Sequence, residues 1–246
     1  MRQFIVIALL GFATQAWAET PYVYQQGGLE GEQRLAIESQ TTVGTRELQP
    51  LGGKGIEQGL RVRLQIREGT TVEGFGGAVW QPDATDLRAG AIGVEAIQRV
   101  LSQKEFGVNL QVAVGAYRDV TGVFVPRARV LLGRSWGRLN AQVSGTFEMP
   151  VSHARDALDV ILGAGASWQA TSQTSIGLEA VGEDLEAIFD PEETEGGARL
   201  LAGPSLHTTF GAMYVHGNLG ATTFWPIAGG APLTGAMGRV NLGWKF

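Results

Sequence analysis

The chain has 246 residues, no cysteine, 36 glycines and a formal net charge of −5. A length of this order is ordinary for a single all-β barrel. Because cysteine is absent, disulfides, thiolate metal sites and lipid anchoring through a cysteine are excluded. The acidic balance argues against a nucleic-acid-binding surface. We therefore expect a fold that is stabilised by its own packing alone.

The first twenty residues, MRQFIVIALLGFATQAWAET, have the composition of a secretory signal peptide. Arg2 precedes an apolar run from Phe4 to Ala13, and the small residues Ala16 and Ala18 follow it. This order of charged, apolar and small residues is typical of a cleaved leader. The apolar run of 10 residues is shorter than the ~20 residues that a membrane-spanning helix needs. We expect cleavage after Ala18.

Apolar and polar residues alternate with a period of two from about residue 33 to the end of the chain. In GLRVRLQIR, for example, Leu60, Val62 and Leu64 alternate with arginine and glutamine, and VNLQVAVGAY and RLNAQVSGTF repeat the pattern. Alternation over about ten residues predicts β-strands. In chain order, the predicted strands span 33–43, 57–67, 70–81, 87–101, 106–118, 123–135, 138–148, 158–170, 174–184, 198–208, 212–223 and 235–246.

The connections between these strands are sorted by length. Short connections of two to four residues follow strands 2, 4, 6, 8 and 10, whereas the connections after strands 1, 5, 7, 9 and 11 include the long ones. This sorting puts the tight turns at one end, as in outer-membrane barrels, which have short periplasmic turns and longer external loops. An even number of strands also leaves both termini on the periplasmic side.

Aromatic residues cluster near the two ends of the predicted strands. Two such belts, separated by small aliphatic residues, are typical of a barrel wall that crosses lipid. The alternative is that aromatic residues are scattered through strands because they favour β structure. The expected belts contain Phe106, Trp136, Trp168, Phe210, Trp244 and Phe246 at the tight-turn end, and Trp80, Phe124, Phe147, Phe224 and Trp225 at the other.

The last nine residues, GRVNLGWKF, place Val240, Leu242, Trp244 and Phe246 on one face of the final strand. This ending resembles the outer-membrane β-barrels of Gram-negative bacteria, whose last strand alternates hydrophobic residues and ends on phenylalanine. The resemblance implies that the barrel-assembly machinery reads these four residues. It also implies an outer-membrane location, with outer-membrane lipid and lipopolysaccharide as surroundings.

The predicted fold is all-β, an antiparallel transmembrane β-barrel of about 12 strands, with roughly 10 to 14 compatible with the pattern. Both termini are expected to be periplasmic. The predicted parts are a signal peptide at 1–18, a periplasmic N-terminal segment at 19–32 and the barrel at 33–246.

Alternation places eleven basic and six acidic side chains on the inner face of the barrel. Such an excess favours anions, because arginines around a pore lower the electrostatic barrier for negative ions. Alternatively, arginine and glutamate pair across a narrow interior and close it. Twelve strands lie between filled barrels of about eight and open porins of about sixteen, so size does not decide. The residues expected to line the lumen include Arg61, Arg63, Arg127, Arg129, Glu73, Glu95 and Glu179.

A lipid hydrolase is the main enzymatic alternative. Such barrels carry a serine and a histidine two residues apart on the lipid face, because the base must reach the proton of the nucleophile. His153 directly follows Ser152, and no serine stands two residues after His207 or His216. We therefore expect no enzymatic activity and interpret His216 as a polar group of the lumen.

Two further motifs do not predict a cofactor or a metal. The acidic stretch EDLEAIFDPEETE lacks the regular ligand spacing and central glycine of a calcium loop, so it is interpreted as an external loop. GFGGAV at 74–79 lies within a predicted strand, where small residues allow a barrel strand to bend. Cofactors are therefore not expected.

The expected function is that of a small porin or channel with a net basic lumen that favours small anionic solutes. A closed structural or adhesive barrel is the alternative, and a lipid-modifying enzyme is less favoured.

Overall fold

The computed structural model describes residues 22–24, 26–29, 33–45, 55–80, 88–151, 158–185, 197–226 and 231–246. These residues contain thirteen strand segments and one short helix. The strands are β1 Leu35–Gly44, β2 Gly55–Arg67, β3 Thr70–Trp80, β4 Arg88–Ala89, β5 Ile92–Leu101, β6 Asn109–Arg118, β7 Phe124–Trp136, β8 Leu139–Glu148, β9 Asp159–Gln169, β10 Thr174–Glu183, β11 Ala198–Phe210, β12 Met213–Trp225 and β13 Leu233–Lys245, and the helix is α1 Gln103–Phe106.

The strands form one closed antiparallel barrel. Apart from β4, each strand pairs with the strands next to it in the sequence, and β13 pairs with β1, which closes the sheet. The two-residue strand β4 pairs with Ala78 and Val79 of β3, and β5 pairs with residues 70–75 of the same strand. β4 and β5 together therefore occupy one position in the wall. The barrel therefore has twelve strands, as the sequence predicted.

The predicted strand at 87–101 is interrupted where two backbones come close. The Gly90 N–H donates to the Gly77 carbonyl at 2.8 Å, and a Cβ atom at Gly90 would lie 2.8 Å from the carbonyl carbon of Gly77. Only glycine fits such an approach without displacing the neighbouring strand. Regular pairing to β3 resumes at Gly93, opposite Phe75.

The tight turns lie at one end of the barrel, which we call the turn end. Three of them are two residues long and use Gly69, Gly137 and Gly211 at positive φ (75°, 59° and 63°), the conformation that glycine adopts most easily. The opposite end is called the loop end, and much of it lies outside the described residues. One loop-end connection is short: residues 119–123 close with an Asp119 N–H to Val123 carbonyl bond of 3.0 Å.

Both ends of the barrel chain meet at the turn end. The Phe246 N–H donates to the Leu35 carbonyl at 2.8 Å, and the N–H groups of Arg34 and Leu35 donate to a main-chain oxygen of Phe246 at 2.9 and 3.1 Å. Main-chain hydrogen bonds therefore hold Phe246 against the start of β1.

The outer face of the wall is apolar and the inner face is polar, the reverse of a water-soluble barrel. Outward-facing aliphatic residues such as Leu60, Val114 and Leu219 are exposed, whereas inward-facing Glu38 and Asn241 are fully buried. An apolar exterior around a polar interior is the pattern of transmembrane barrels. None of the helices in the described residues is long and apolar enough to cross a membrane.

Exposed aromatic rings lie near both ends of the wall. Inside the barrel, the Phe75 ring lies 6.3 Å from the Tyr117 ring, and Tyr214 is fully buried. The exposed rings are Phe106, Trp136, Trp168, Phe210, Trp244 and Phe246 at the turn end, and Trp80, Phe124 and Phe147 at the loop end.

Candidate functional site

The lumen is the candidate site, and its first group of charges lies on β1, β2 and β3. Arg61 Nε is 3.5 Å from Glu73 Oε1, and Arg61 Nη1 is 4.0 Å from Glu38 Oε1. Arg63 Nη2 lies 3.8 Å from Glu38 Oε2. Both carboxylates are buried, so the two arginines provide the positive charge that a buried carboxylate requires.

A second group of charges joins β5 and β7. Arg127 Nε lies 3.2 Å from Glu95 Oε1, and Arg129 Nη2 contacts Glu95 Oε2. The Arg127 guanidinium also lies 4.9 Å from the centre of the Phe75 ring and 5.5 Å from that of Tyr117, within the range of a cation–π interaction. Glu95 is 0% exposed.

We call these two groups the central ion-pair cluster. Each of its ion pairs joins strands that are neighbours or next neighbours in the barrel, so the pairs lie along the wall and do not reach across the lumen. The cluster contains four guanidinium groups against three carboxylates, Arg61, Arg63, Arg127, Arg129, Glu38, Glu73 and Glu95.

The interior also contains part of the chain that precedes β1. Residues 22–24 and 26–29, which we call the lumen segment, hydrogen-bond to inward-facing residues of the wall. Near the turn end, the Leu29 N–H donates to Thr71 Oγ1 at 2.9 Å and the Gly28 N–H donates to Gln111 Oε1 at 2.8 Å. Thr71 belongs to β3 and Gln111 to β6, two strands that both pair with β5.

Gln26 connects the lumen segment to the central ion-pair cluster. Its side-chain amide donates to Glu38 Oε2 at 3.1 Å and accepts from Arg61 Nη1 at 2.7 Å. Its main-chain carbonyl accepts from Arg129 Nη1 at 2.7 Å. These contacts reach β1, β2 and β7, so this one residue links opposing parts of the barrel.

Glu179 on β10 binds the next part of the lumen segment. Its carboxylate accepts the Val23 N–H at 2.9 and 3.0 Å and the Tyr24 N–H at 3.0 Å. The Tyr22 hydroxyl donates to the Asn140 carbonyl of β8 at 3.0 Å. Glu179 was expected to line the lumen as a possible partner of arginine; it accepts hydrogen bonds from main-chain N–H groups and from Ser205.

The lumen segment falls within residues 19–32, which were expected to form a periplasmic N-terminal segment, and most of its side chains are buried. Tyr22, Val23, Gln26 and Leu29 are each at most 2% exposed. The physical reason is that lumen side chains satisfy main-chain groups that no sheet partner satisfies. Apolar and polar residues do not alternate in residues 22–29, so the sequence pattern does not indicate where these residues lie.

A cluster of rings lies on β11 and β12. His207 and His216 stand directly opposite each other, with ring centres 4.1 Å apart, and the Tyr214 ring centre is 5.1 Å from that of His216. Tyr214 links this cluster to the ion pairs, because its hydroxyl donates to Glu38 Oε2 at 3.0 Å and accepts from Arg63 Nη2 at 2.9 Å.

The described histidines do not form the lipid-face site of a hydrolase. His207 and His216 are buried on the inner face. Ser205, which the sequence argument missed, lies two residues before His207 on that same inner face, and its hydroxyl hydrogen-bonds to Glu179. His153 lies outside the described residues.

The loop end of the inner face is acidic. Arg199 Nη1 lies 2.7 Å from Glu183 Oε2, and the Tyr117 hydroxyl donates to Glu148 Oε2 at 2.5 Å. Asp159 is also buried on this face. The count of inward charges from the sequence considered only glutamates and missed Asp159, which stands at the first position of β9 with inward parity. The acidic stretch beyond Leu185 lies outside the described residues.

The four residues of the expected assembly signal lie on the outer face of β13 and at the chain end. Val240, Trp244 and Phe246 are exposed and Leu242 is half-buried. They form a continuous apolar stripe that the barrel itself does not cover.

Comparison with known proteins relates the fold to porins. No family model and no curated protein matches the chain. Among solved structures, the KdgM porin has a TM-score of 0.57 at 7% identity, covering 86% of this chain and 99% of KdgM. The NanC porin has a TM-score of 0.59 at 8% identity, covering 86% of this chain and 100% of NanC. The chain has a porin fold. A further KdgM structure, in complex with disordered oligogalacturonate, has a TM-score of 0.57 at 8% identity over 86% of this chain and 99% of that one.

Proposed function

We propose that the protein is an outer-membrane channel for small solutes, with a lumen that favours anions. The observation that carries this proposal is the closed twelve-stranded wall with an apolar exterior and a charged interior. A polar interior inside a lipid-facing wall is the arrangement that water-filled pores require. The similarity of the fold to solved porins supports the proposal.

The proposed preference for anions rests on the charged side chains in the middle of the lumen. The central ion-pair cluster has one more guanidinium group than carboxylates, and Arg239 and Lys245 add positive charge on the inner face of β13. Because the ion pairs run along the wall, their side chains do not themselves cross the lumen. A net positive wall raises the local concentration of anions.

The proposal extends to biogenesis. The leader is removed after Ala18, the barrel-assembly machinery inserts the chain, and the apolar stripe that ends in Phe246 is part of the signal that this machinery reads. Outer-membrane lipid and lipopolysaccharide surround the wall.

A closed structural or adhesive barrel is the second candidate function. The lumen segment favours it, because residues 22–24 and 26–29 contact the wall on several sides. A purely structural barrel would not conduct ions under any condition, whereas a channel must have a conducting state.

Planar-bilayer recording in a salt gradient distinguishes the two candidates. We expect unitary currents whose reversal potential is displaced toward the value for chloride. Replacing Arg127 and Arg129 by glutamine in the variant that also carries Glu95→Gln removes two positive charges and one negative charge, and should displace the reversal potential toward potassium. Absence of current from both the full chain and a chain without the lumen segment would refute the channel.

A further inference from the structure

The lumen segment contacts the wall around much of its circumference. Its partners lie on β3 and β6 at Leu29 and Gly28, on β1, β2 and β7 at Gln26, on β10 at Val23, and on β8 at Tyr22. A chain that is bound on all these sides occupies the space through which a solute would pass.

Most of these contacts are made to the main chain of the segment. The wall accepts main-chain N–H groups at Val23, Tyr24, Gly28 and Leu29. It donates to main-chain carbonyls at Gln26 and at Gly27, where Arg63 Nη1 lies 3.3 Å from the oxygen. The inner wall therefore carries donors and acceptors placed for an extended peptide backbone.

The shapes of the segment and the wall match. A Cβ atom at Gly27 would lie 2.5 Å from Gln111 Oε1, and a Cβ atom at Gly28 would lie 2.9 Å from Thr71 Oγ1. On the wall side, a Cβ atom at Gly165 would lie 2.6 Å from Tyr22 Cε1. Glycines in the segment and in the wall thus allow the two chains to approach each other closely.

We propose that residues 22–29 are a plug that closes the channel, held in a binding site for an extended peptide on the inner wall. This inference rests on the proposed channel function. The segment is not a strand of the barrel, so its removal leaves all twelve strands and their pairing in place. Its hydrogen-bond partners are polar groups that water can also satisfy. The apolar contact that its departure breaks is that of Tyr24 with Ile161, Val181, Leu201 and Met237.

The first test compares the full mature chain with a chain that lacks residues 22–29. Both are refolded, shown to have the same strand content by circular dichroism, and recorded in planar bilayers. We expect the deletion to raise the steady current at least about tenfold, since a wall of twelve strands encloses space that the segment no longer fills.

A matched pair of substitutions tests the same contact from the wall. Gly165→Leu places a side chain where the Tyr22 ring lies and should raise the open fraction. Gly145→Leu is the control on the outer face, because the atom nearest to a Cβ atom there is 3.9 Å away. It should leave the current unchanged.

A separate peptide tests whether the inner wall binds the segment when the segment is not covalently joined to the barrel. A synthetic peptide of residues 19–32 should block the deletion variant. The same peptide with N-methyl groups on Val23 and Tyr24, which removes the two donors to Glu179, should block it several-fold more weakly. Equal block by the two peptides would overturn the assignment of the site.

The outcomes separate the plug from the channel. A closed full chain and a conducting deletion variant support both. Equal currents from the two chains overturn the plug and retain the channel. Absence of current from both chains overturns the channel and, with it, the claim that this segment is what closes the lumen.

Discussion

Glu95 gives the most quantitative prediction, because its buried carboxylate has two arginines as partners. Arg127 lies at 3.2 Å and Arg129 contacts the other oxygen, while Glu95 itself is 0% exposed. Replacing one arginine by glutamine leaves the other in place. Replacing both leaves a buried carboxylate without the two cations that compensate its charge.

The expected free energies of unfolding follow from these contacts. Arg129→Gln loses a charged hydrogen bond to Glu95, and Arg127→Gln loses an ion-pair contact with it. We expect each single loss to be about 1.5 kcal/mol, the lower end of the range for a charged hydrogen bond, because the remaining arginine still compensates the carboxylate. The double variant should lose about 3–5 kcal/mol, the cost of stranding a buried charge, and more than the sum of the single losses. Adding Glu95→Gln removes the stranded charge and should restore most of the loss.

The assay is urea unfolding of the refolded barrel in lipid vesicles, followed by tryptophan fluorescence. A double variant with less than about 1 kcal/mol of destabilisation would refute the buried ion pair. Failure of Glu95→Gln to restore stability would refute the charge argument and indicate that the arginines act through their packing on the aromatic rings.

Three further predictions concern biogenesis and topology. Deletion of Phe246 removes an exposed ring and the acceptor for the N–H groups of Arg34 and Leu35 at the start of β1, so immunoblots of outer-membrane fractions should show a lower amount; a normal amount would contradict the assembly signal. Mass spectrometry of the purified protein should give an N-terminus that follows Ala18, and an intact Arg2 would refute cleavage. A tag within Ala228–Ala231 should be accessible on intact cells and one within Ser102–Glu105 should not; the reverse labelling would contradict the topology.

The wall of the barrel was predictable from the sequence because the alternation that specifies each strand is a local pattern. In a strand with one lipid face and one polar face, a period of two assigns each side chain to a face. This is why Arg61 and Glu73 were placed on the inner face and Phe246 at the end of the closing strand. The break at Gly90 was not predicted, because it depends on the approach of a second backbone.

The contents of the lumen were not predictable, because they depend on contacts between residues distant in the sequence. The Val23 N–H and the Glu179 carboxylate are 156 residues apart. Nothing in the local pattern indicates that Glu179 binds main-chain groups while Glu95 binds two arginines. The choice among partners is set by the geometry of the closed wall, which alternation alone does not specify.

The most direct measurement asks whether the lumen segment lies against the wall in the membrane. The chain has no cysteine, and a Cβ atom at Gly28 would lie 3.3 Å from the Cβ atom of Thr71, close to the ~3.5–4.5 Å of a disulfide. The double variant Gly28→Cys and Thr71→Cys is extracted from outer membranes, denatured and treated with a maleimide before and after reduction. We predict that its thiols react only after reduction, whereas each single variant reacts without it. Thiols of the double variant that react fully without reduction would contradict the placement of the segment in the lumen.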